Sequence, residues 1–569
     1  MPPAASPAGR PQVLDRLRRC HRVPVLIVGG GINGAGLYRE LALQGVDCLL
    51  VERGDFLCGA SAASSHMIHG GLRYLQNGEF RLVRESVAER NRLLQNAPHV
   101  VRPLPTTLPL FHWTAGLVPA ALRFFGIRDL PSDRGALLAK IGLVLYDLYS
   151  RGRGRRLPRH RFVGRRNALA HRPALDPDLV CTATYHDAWI QDPERLGIEL
   201  VLDAEAAHSG ALAVNYCEVV GLADGAVRLR DTVEGETFTC RPQVVVNATG
   251  AWVDDTHHAL ERPSTFMGGT KGSHLVLDHP ELVATLDGGM LYFENRDGRI
   301  CILFPYRGKA LAGTTDLWVE HPDQAVCEEA EVDYILESIR HALPGLVVGR
   351  EHIVFRYCGV RPLPRSDADN PGKVSRDHQL RWLESAGTHS FPILALIGGK
   401  WTTFRALAEQ AADQVLARLE ATPRKRSTAD VAIGGGVDYP SDTDRQQWLT
   451  TRAPAADVDP ERLATFLDRY GTRATELAHH LEAGDSPLAT LPDYSHGEIA
   501  WLTERERVVR LEDLVLRRTP IGLLGELTAE RLSELAEVVG ELLGWSDERR
   551  DDEVTRVRDR WRAQHGITL

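Results

Sequence analysis

The sequence predicts an α/β fold with a Rossmann-like nucleotide-binding domain at its start and an all-helical domain at its end. Three observations predict it. Residues 23–55 carry an apolar run, three spaced glycines, a helical pattern and a second apolar run, in that order. Two later segments again deliver a strand onto small residues, and beyond about residue 440 apolar residues recur at helical spacing.

In the first segment, VPVLIVGGGINGAGLYRELALQGVDCLLVERGD, the run Val25 to Val28 ends in Gly29-x-Gly31-x-x-Gly34. A helical pattern continues through Leu43, Gly45 stops it, and a second run ends at Glu52. The glycines serve a tight turn, close approach of backbone to a pyrophosphate, and close packing of helix on strand. Glu52, 18 residues after Gly34, stands where a carboxylate accepts hydrogen bonds from ribose hydroxyls. This unit alone does not separate FAD from NAD. The second segment, RPQVVVNATGAWVDD (241–255), runs from Val244–Val246 into Ala248-Thr249-Gly250, small residues that let the chain pass close to a cofactor already seated on the first motif. A strand-ATG-aromatic element this far downstream points to FAD held by discontinuous pieces of chain; the alternative is an ordinary buried strand and turn. In the third, PILALIGGKWTTFRALAEQAADQVLARL (392–419), a strand ends in Gly398-Gly399, then Lys400, then Thr402 and Thr403 as caps of a helix with Leu407, Ala411, Val415 and Leu416 on one face. Such a helix N-terminus suits an anion or a flavin ring edge, whereas a lone Lys400 would be read as a solvated loop lysine.

Composition sets the frame around these motifs. A chain of 569 residues exceeds one compact core and calls for two or more domains. Apolar residues at 43% and charged residues at 25% are globular values, and a net charge of -9 argues against nucleic acid as a partner. The nine cysteines are scattered and never in CxxC spacing, so they read as reduced core thiols with no metal site. No apolar run reaches the roughly 18 residues that cross a bilayer, and MPPAASPAGRPQ at the start lacks the apolar stretch of a signal peptide. A cytoplasmic protein is expected. One segment stays unexplained by burial: SSHMIHGGLRYL (64–75) crowds two glycines, two histidines, an arginine and a tyrosine into a stretch with no clean period of 2 or 3.6.

The strings GGGINGAG, SSHMIHGGLRYLQNGEFRLVRESVAER, NATGAWVD, TKGSHLVL, AGTTD, YCGVRPLPRSD, SRDH and GGKWTTFRALAE follow one another in an order that resembles the FAD-dependent, respiratory glycerol-3-phosphate dehydrogenases, from about Val23 to LEDLVLRRT (511–519). The resemblance implies oxidation of sn-glycerol 3-phosphate to dihydroxyacetone phosphate by hydride transfer to FAD, with electrons passed to membrane quinone. An oxygen-using oxidase, another phosphorylated alcohol as substrate, or a flavin-binding protein without turnover are the alternatives. Such chemistry needs a base for the hydroxyl proton and a cationic socket for the phosphate. Arg73 and Arg361 offer planar forks, Lys400 a point charge and Tyr74 a neutral donor. His69 is the nearby side chain suited to take a proton near neutrality; the alternative is a histidine that bonds backbone beside the flavin. For the cofactor the resemblance implies Gly29, Gly31, Asn33, Gly34, Glu52, Ser61, Ser64, Ser65, Val219, Ala248, Gly250, Gly398, Lys400 and Thr402. Lys271, Ser273, His274 and Asp316 are secondary candidates for the substrate side, while Asp187 and Asp192 suit loop or cap positions. The chain departs from the family's usual lysine or arginine at His66, and Trp401 and Phe404 stand where leucine and tyrosine are frequent, an alteration of packing more than chemistry.

The implied organisation is a flexible tail over 1–21, an FAD-binding domain made of 22–110, 187–260 and 350–425, an interleaved α+β substrate domain made of 111–186 and 261–349, and a helical domain over 440–569. AIGGGVDYPSD (432–442) reads as the linker to it. A quinone lives in the bilayer, so the chain is expected on the inner face of the cell membrane without crossing it. ALLAKIGLVLYDLY (136–149) is an apolar helical run too short to span. SRGRGRRLPRHRFVGRR (150–166) follows it with eight arginines, the pattern of an anchor on anionic lipid; a core helix beside a solvated loop is the alternative. LVPAALRFFGIRDL (117–130) would add a second apolar contact. Homo-oligomerisation is left open.

Overall fold

The computed structural model describes residues 9–19, 21–72, 79–115, 135–150, 157–366, 374, 377–385, 391–481 and 485–569. Val25 to Val28, apolar and buried on both sides, form the centre of a sheet whose order is Gln379–Leu383, Ile393–Ile397, Thr237–Asn247, Arg22–Val28, Cys48–Val51, Ala211–Val214. Strands Ile393–Ile397, Thr237–Asn247, Arg22–Val28, Cys48–Val51 and Ala211–Val214 run parallel to their neighbours, and Gln379–Leu383 closes one edge antiparallel. Continuous apolar strands are what a sheet covered on both faces demands. Helices Ile32–Leu43, Pro193–Ala207 and Phe404–Arg418 cover one face through Leu37, Leu41, Leu196, Leu200, Phe404 and Val415.

The other face is covered in part by helix Arg10–Arg19, whose Val13, Leu14 and Leu17 are buried against Leu49, Val51 and Phe238. Arg10 also reaches the buried carboxylate of Asp231 at 2.7 Å. Residues 10–19, read from sequence as tail, are therefore docked by an apolar stripe that a Pro- and Arg-rich context conceals.

A second, larger sheet has the order Leu317–Trp318, Thr270–Leu277, Lys309–Gly313, Ile300–Tyr306, Met290–Glu294, Val101–Leu110, Cys181–Ile190, Met67–Ile68, with Ile353–Arg361 added against Thr270–Leu277. Strands Met67–Ile68, Val101–Leu110 and Ile353–Arg361 thus pair outside the nucleotide-binding sheet, although all three lie in chain pieces grouped with it above. The chain crosses from one sheet to the other at residues 191–193, directly after strand Cys181–Ile190 and before helix Pro193–Ala207.

Beyond residue 440 the described chain is helical, and its apolar faces pack on the second sheet through Phe304, Phe355 and Tyr357. Ser495, Thr528 and Ser546 cap three of its helices by accepting from the amides of Glu498, Arg531 and Arg549. The glycine-rich connector is packed rather than free: Gly435 and Gly436 are buried, and a Cβ on Gly435 would lie 2.1 Å from the Tyr470 carbonyl.

Buried ion pairs join this domain to the nucleotide-binding one. Asp55, fully buried just after strand Cys48–Val51, accepts from Arg517 Nε at 2.5 Å, from Arg518 Nη1 and Nη2 at 2.7 and 2.8 Å, and from Asn215 Nδ2 at 3.0 Å. Burial pushes its carboxyl up, but Arg518 and Arg517 pull harder and hold it at about 2. Arg195 pairs with Glu506 and Arg507 with Glu205 across the same joint. Asp55→Ala is expected to destabilise the protein by about 3–5 kcal/mol in denaturant unfolding, because two guanidinium groups lose their buried partner. The carboxylate's contribution is present above an unfolded value of about 3.9 and is lost as pH falls through about 2, so the variant's deficit should shrink over that window.

Candidate functional site

One cavity of about 690 Å³ opens along the ends of the parallel strands and continues toward the second sheet and the helical domain. Its first wall is the glycine turn. Gly29 sits at φ +104°, where a Cβ would lie 2.7 Å from the Ala248 carbonyl oxygen. Gly34 leaves no room either, since its Cβ would lie 1.9 Å from the Gly29 carbonyl oxygen. Gly29, Gly31 and Asn33 line the cavity, whereas Gly34 lies behind them and lets the helix seat on the strand. Glu52 also lines it and accepts from the amides of Gly30 at 2.7 Å and Gly54 at 2.9 Å. Burial pushes this carboxyl above the usual range even though the two amides favour its charged form. Asn33 Oδ1 is buried without a partner in the structure, an acceptor that a bound group would satisfy.

Ser61, Ser64, Ser65, Val219, Ala248, Gly250, Gly398, Lys400 and Thr402 line the same cavity. Ser61 Oγ accepts from the Ile32 amide at 3.0 Å, near the first turn of helix Ile32–Leu43. Gly398 and Gly399 take consecutive positive φ values of +74° and +98°, the left-handed geometry that favours glycine. Trp401 does more than pack, because its Nε1 donates to the Ser61 carbonyl at 2.9 Å across the cavity wall. Phe404 fills the space that Gly36 leaves, where a Cβ would lie 2.7 Å from the ring.

The far end of the cavity is lined by His69, Arg361, Lys400, Gly272, His274 and Tyr357. Arg361 ends strand Ile353–Arg361 and donates from Nη1 to Asp316 at 2.9 Å and from Nη2 to Thr314 Oγ1 at 2.9 Å. Gly272 makes way for it, as a Cβ there would lie 2.1 Å from Arg361 Nη2. Lys400 Nζ donates to Ser86 Oγ at 3.1 Å. His274 is buried, lies 2.9 Å from Ser65 Oγ through Nε2 and stacks on Tyr357 at 4.9 Å. Burial, then the Arg361 charge, keep its pKa well below 6.5, so it is a neutral imidazole. Arg73 and Tyr74 lie outside the described residues.

Strand alternation sorts the secondary candidates. Gly272 and His274 face the cavity, so Lys271 and Ser273 face the other way. There Lys271 pairs with Glu328 at 2.7 Å and Glu331 at 2.9 Å, and Ser273 donates to Glu331 at 2.9 Å. Both are corrected to structural roles. Asp316 is not on the wall and acts on it only through Arg361. Asp187 lies inside strand Cys181–Ile190 and is buried, not in a loop, and Asp192 pairs with Arg307 at 2.5 Å. The stretch 65–70 has a two-residue alternation after all: Ser65, Met67 and His69 line the cavity while His66, Ile68 and Gly70 are buried behind it. His66 therefore does not face the cavity. Its Nδ1 lies 3.1 Å from the Ile190 carbonyl, and burial pulls its pKa down to about 4. Leu516, Arg517, Leu523, Arg560, Gln564 and His565 complete the wall from the helical domain. No local signal in the sequence marks them, because only tertiary packing brings them there.

Comparisons with known proteins agree with this geometry. Residues 24–413 match the family model described as FAD dependent oxidoreductase, and residues 426–550 match the C-terminal domain of alpha-glycerophosphate oxidase. The chain is 32% identical over 562 residues to a glycerol-3-phosphate dehydrogenase of Synechocystis sp., covering 94% of this chain and 95% of that protein. It is 32% identical over 508 residues to a D-erythritol 1-phosphate dehydrogenase of Brucella abortus, covering 87% and 93%. Among solved structures, the glycerol-3-phosphate dehydrogenase from Bacillus halodurans complexed with FAD shares the fold with a TM-score of 0.74 at 21% identity, covering 98% of each chain.

The glycine turn, the strand-end carboxylate of Glu52 and the unsatisfied Asn33 acceptor are the set of groups a dinucleotide calls for. Gly34→Ala is expected to purify colourless, with flavin absorbance lost, because the added carbon meets backbone 1.9 Å away. Gly45→Ala, where a Cβ would meet nothing within 4 Å, should keep its flavin.

Proposed function

The chain belongs to the FAD-dependent oxidoreductase family, in its glycerol-3-phosphate dehydrogenase and oxidase group, and has FAD as its cofactor; from this premise we propose that it oxidises sn-glycerol 3-phosphate to dihydroxyacetone phosphate and passes the electrons to a membrane quinone. The observation that carries the reading is the convergence of Arg361 and Lys400, from a strand end and a helix start, on the cavity that also holds His69 and the cofactor cradle.

When bound, FAD supplies a ring nitrogen that accepts a hydride from the carbinol carbon. The chain's own residues do the rest. Arg361 brings its guanidinium charge to the phosphate, and Asp316, Thr314 and the Thr315 carbonyl, which already accept from its two terminal nitrogens, hold it in place before substrate arrives. Lys400 adds a second positive charge, and His69 takes the hydroxyl proton. Neutral His274 leaves the socket's charge to the arginine and lysine. The family resemblance assigns Arg73 and Tyr74 to the phosphate as well.

Two neighbouring readings each have a specific support. The C-terminal match to an oxidase favours oxygen as acceptor, and the relative named for D-erythritol 1-phosphate favours a longer polyol phosphate. Docking on a membrane is supported by helix Ala136–Tyr149, which turns Leu137, Ile141, Val144, Leu145 and Leu148 outward at 38 to 50% exposure. Trp113 is exposed and its backbone carbonyl accepts from the Leu137 amide at the helix start, and Arg159, Arg161, Arg165 and Arg166 are exposed nearby in sequence. Segments 117–130 and 151–156, also expected in this anchor, lie outside the described residues. No described helix is long and apolar enough to cross a membrane.

Anaerobic mixing of the FAD-loaded protein with glycerol 3-phosphate should bleach the flavin band faster than erythritol 1-phosphate does, and aerobic turnover should yield little peroxide. An unchanged spectrum would mark a binding protein, and stoichiometric peroxide an oxidase. Arg361→Ala is expected to weaken substrate about 10- to 100-fold while keeping FAD, since a lost charge-assisted contact costs roughly 1.5–3 kcal/mol. Binding to anionic vesicles should fall with salt, and Ile141→Gln with Leu148→Gln should weaken it about tenfold or more, at about 1.5 kcal/mol for each aliphatic side chain withdrawn from lipid. Equal binding by the double variant would count against the anchor.

A further inference from the structure

The backbone of His69 is held from two sides. Its own amide donates to Thr402 Oγ1 at 3.2 Å, and the next amide, that of Gly70, meets Asp187 Oδ1 at 3.1 Å and the Tyr146 hydroxyl oxygen at 3.0 Å. Asp187 Oδ1 also accepts from Arg90 Nη1 at 2.8 Å and from the Tyr146 hydroxyl at 2.8 Å. Arg90, 0% exposed, uses its remaining nitrogens on Asn91 Oδ1 and on Ser150 Oγ at 3.1 Å. Helix Ala136–Tyr149 and strand Cys181–Ile190 therefore each send an acceptor to one loop amide, and helix Phe80–Asn96 sends Arg90 to hold both acceptors.

The cluster is costly to build. Asp187 is 1% exposed and Arg90 wholly buried, and a buried pair of this kind is often no more stabilising than apolar side chains of the same volume. Nor can the loop drift within it. A Cβ on Gly70 would lie 2.3 Å from the Tyr146 hydroxyl and 2.4 Å from Val87, so side chains press on that residue directly. What this polar packing secures is geometry: the peptide that carries His69 is tied at both ends, and the His69 side chain is directed into the cavity.

We propose that Asp187 is a positioning residue, which with Arg90 and Tyr146 holds the Gly70 amide and through it places His69 for proton transfer. The inference rests on the reading of His69 as the proton acceptor. A general base must stand within hydrogen-bond reach of its proton, and a displacement of about 1 Å costs on the order of 100-fold in rate.

The test is a double-mutant cycle read by anaerobic flavin reduction with glycerol 3-phosphate. Asp187→Asn keeps the volume, and Tyr146→Phe removes a single hydroxyl should the first variant fail to fold. Asp187→Asn should slow reduction about tenfold or more and Tyr146→Phe about threefold or more, with FAD content and substrate affinity within about twofold of wild type. On a His69→Ala background each loss should shrink to within about twofold, the non-additivity of residues acting through one another. Hydrogen exchange at residues 66–72 should be faster in Asp187→Asn, before any substrate is added. Undiminished losses on the His69→Ala background, or unchanged reduction in both single variants, would overturn the proposal. If His69→Ala alone slows reduction less than about threefold, the reading of His69 fails and the proposal with it, whereas a large His69→Ala effect with additive losses refutes the positioning role alone.

Discussion

A buried carboxylate stands at the joint that ties the two halves of this protein together. Asp55 stands three residues beyond Glu52 on the loop that leaves the nucleotide-binding sheet, and both of its oxygens are taken by Arg517 and Arg518 of the helical domain and by Asn215. Removing charge from water is costly, so such an arrangement persists only when every partner is present. Here Asp513 accepts from Arg517 at 2.6 Å and from the Tyr216 hydroxyl at 2.6 Å, which extends the network back into the first domain. Because Arg517 and Leu516 line the cofactor cavity, the same ion pairs that dock the helical domain also close the cavity's wall.

Within that frame the site is assembled from backbone and charge separately. The cradle is made of main chain brought close by glycine: Gly29 against Ala248, Gly34 against Gly29, and Gly272 against the Arg361 guanidinium. At the far end of the cavity the positive charge is carried by Arg361 and Lys400, and His274 and His66 add none to it. His274 is held neutral by burial and by Arg361, and His66 is neutral because it is sealed behind the wall. The seat of Arg361 is equally specific, since Asp316 and Thr314 fix its orientation.

Much of this was legible in the chain. The strand-glycine-helix unit, the small residues at 248–250 and the second glycine pair at 398–399 are local signals, and Gly29, Gly31, Ala248, Thr249, Gly250, Gly398 and Gly399 all line the cavity. Gly34 plays the packing part its position in the motif implies. Other features were hidden for identifiable reasons. Lys271 and Ser273 belong to the same short string as His274, and only the pleat of the strand decides which of them face the cavity. The alternation at residues 65–70 is masked in the sequence because glycine and histidine are poor markers of inside and outside. Asp187 looked like a loop acid because nothing nearby in sequence discloses that Arg90 and Tyr146 come to meet it.

The order of short motifs is enough for the fold class and, through the family they resemble, for FAD, because turns, caps and strand ends act over a few residues and demand particular side chains. Tertiary structure decided what depends on distant segments meeting: the docked helix at Arg10–Arg19, the packed connector at Gly435, the contribution of Arg560 and His565 to the cavity, and the outward face of helix Ala136–Tyr149. These follow from burial and from the pairing of buried charges, and neither is a property of any one stretch of chain.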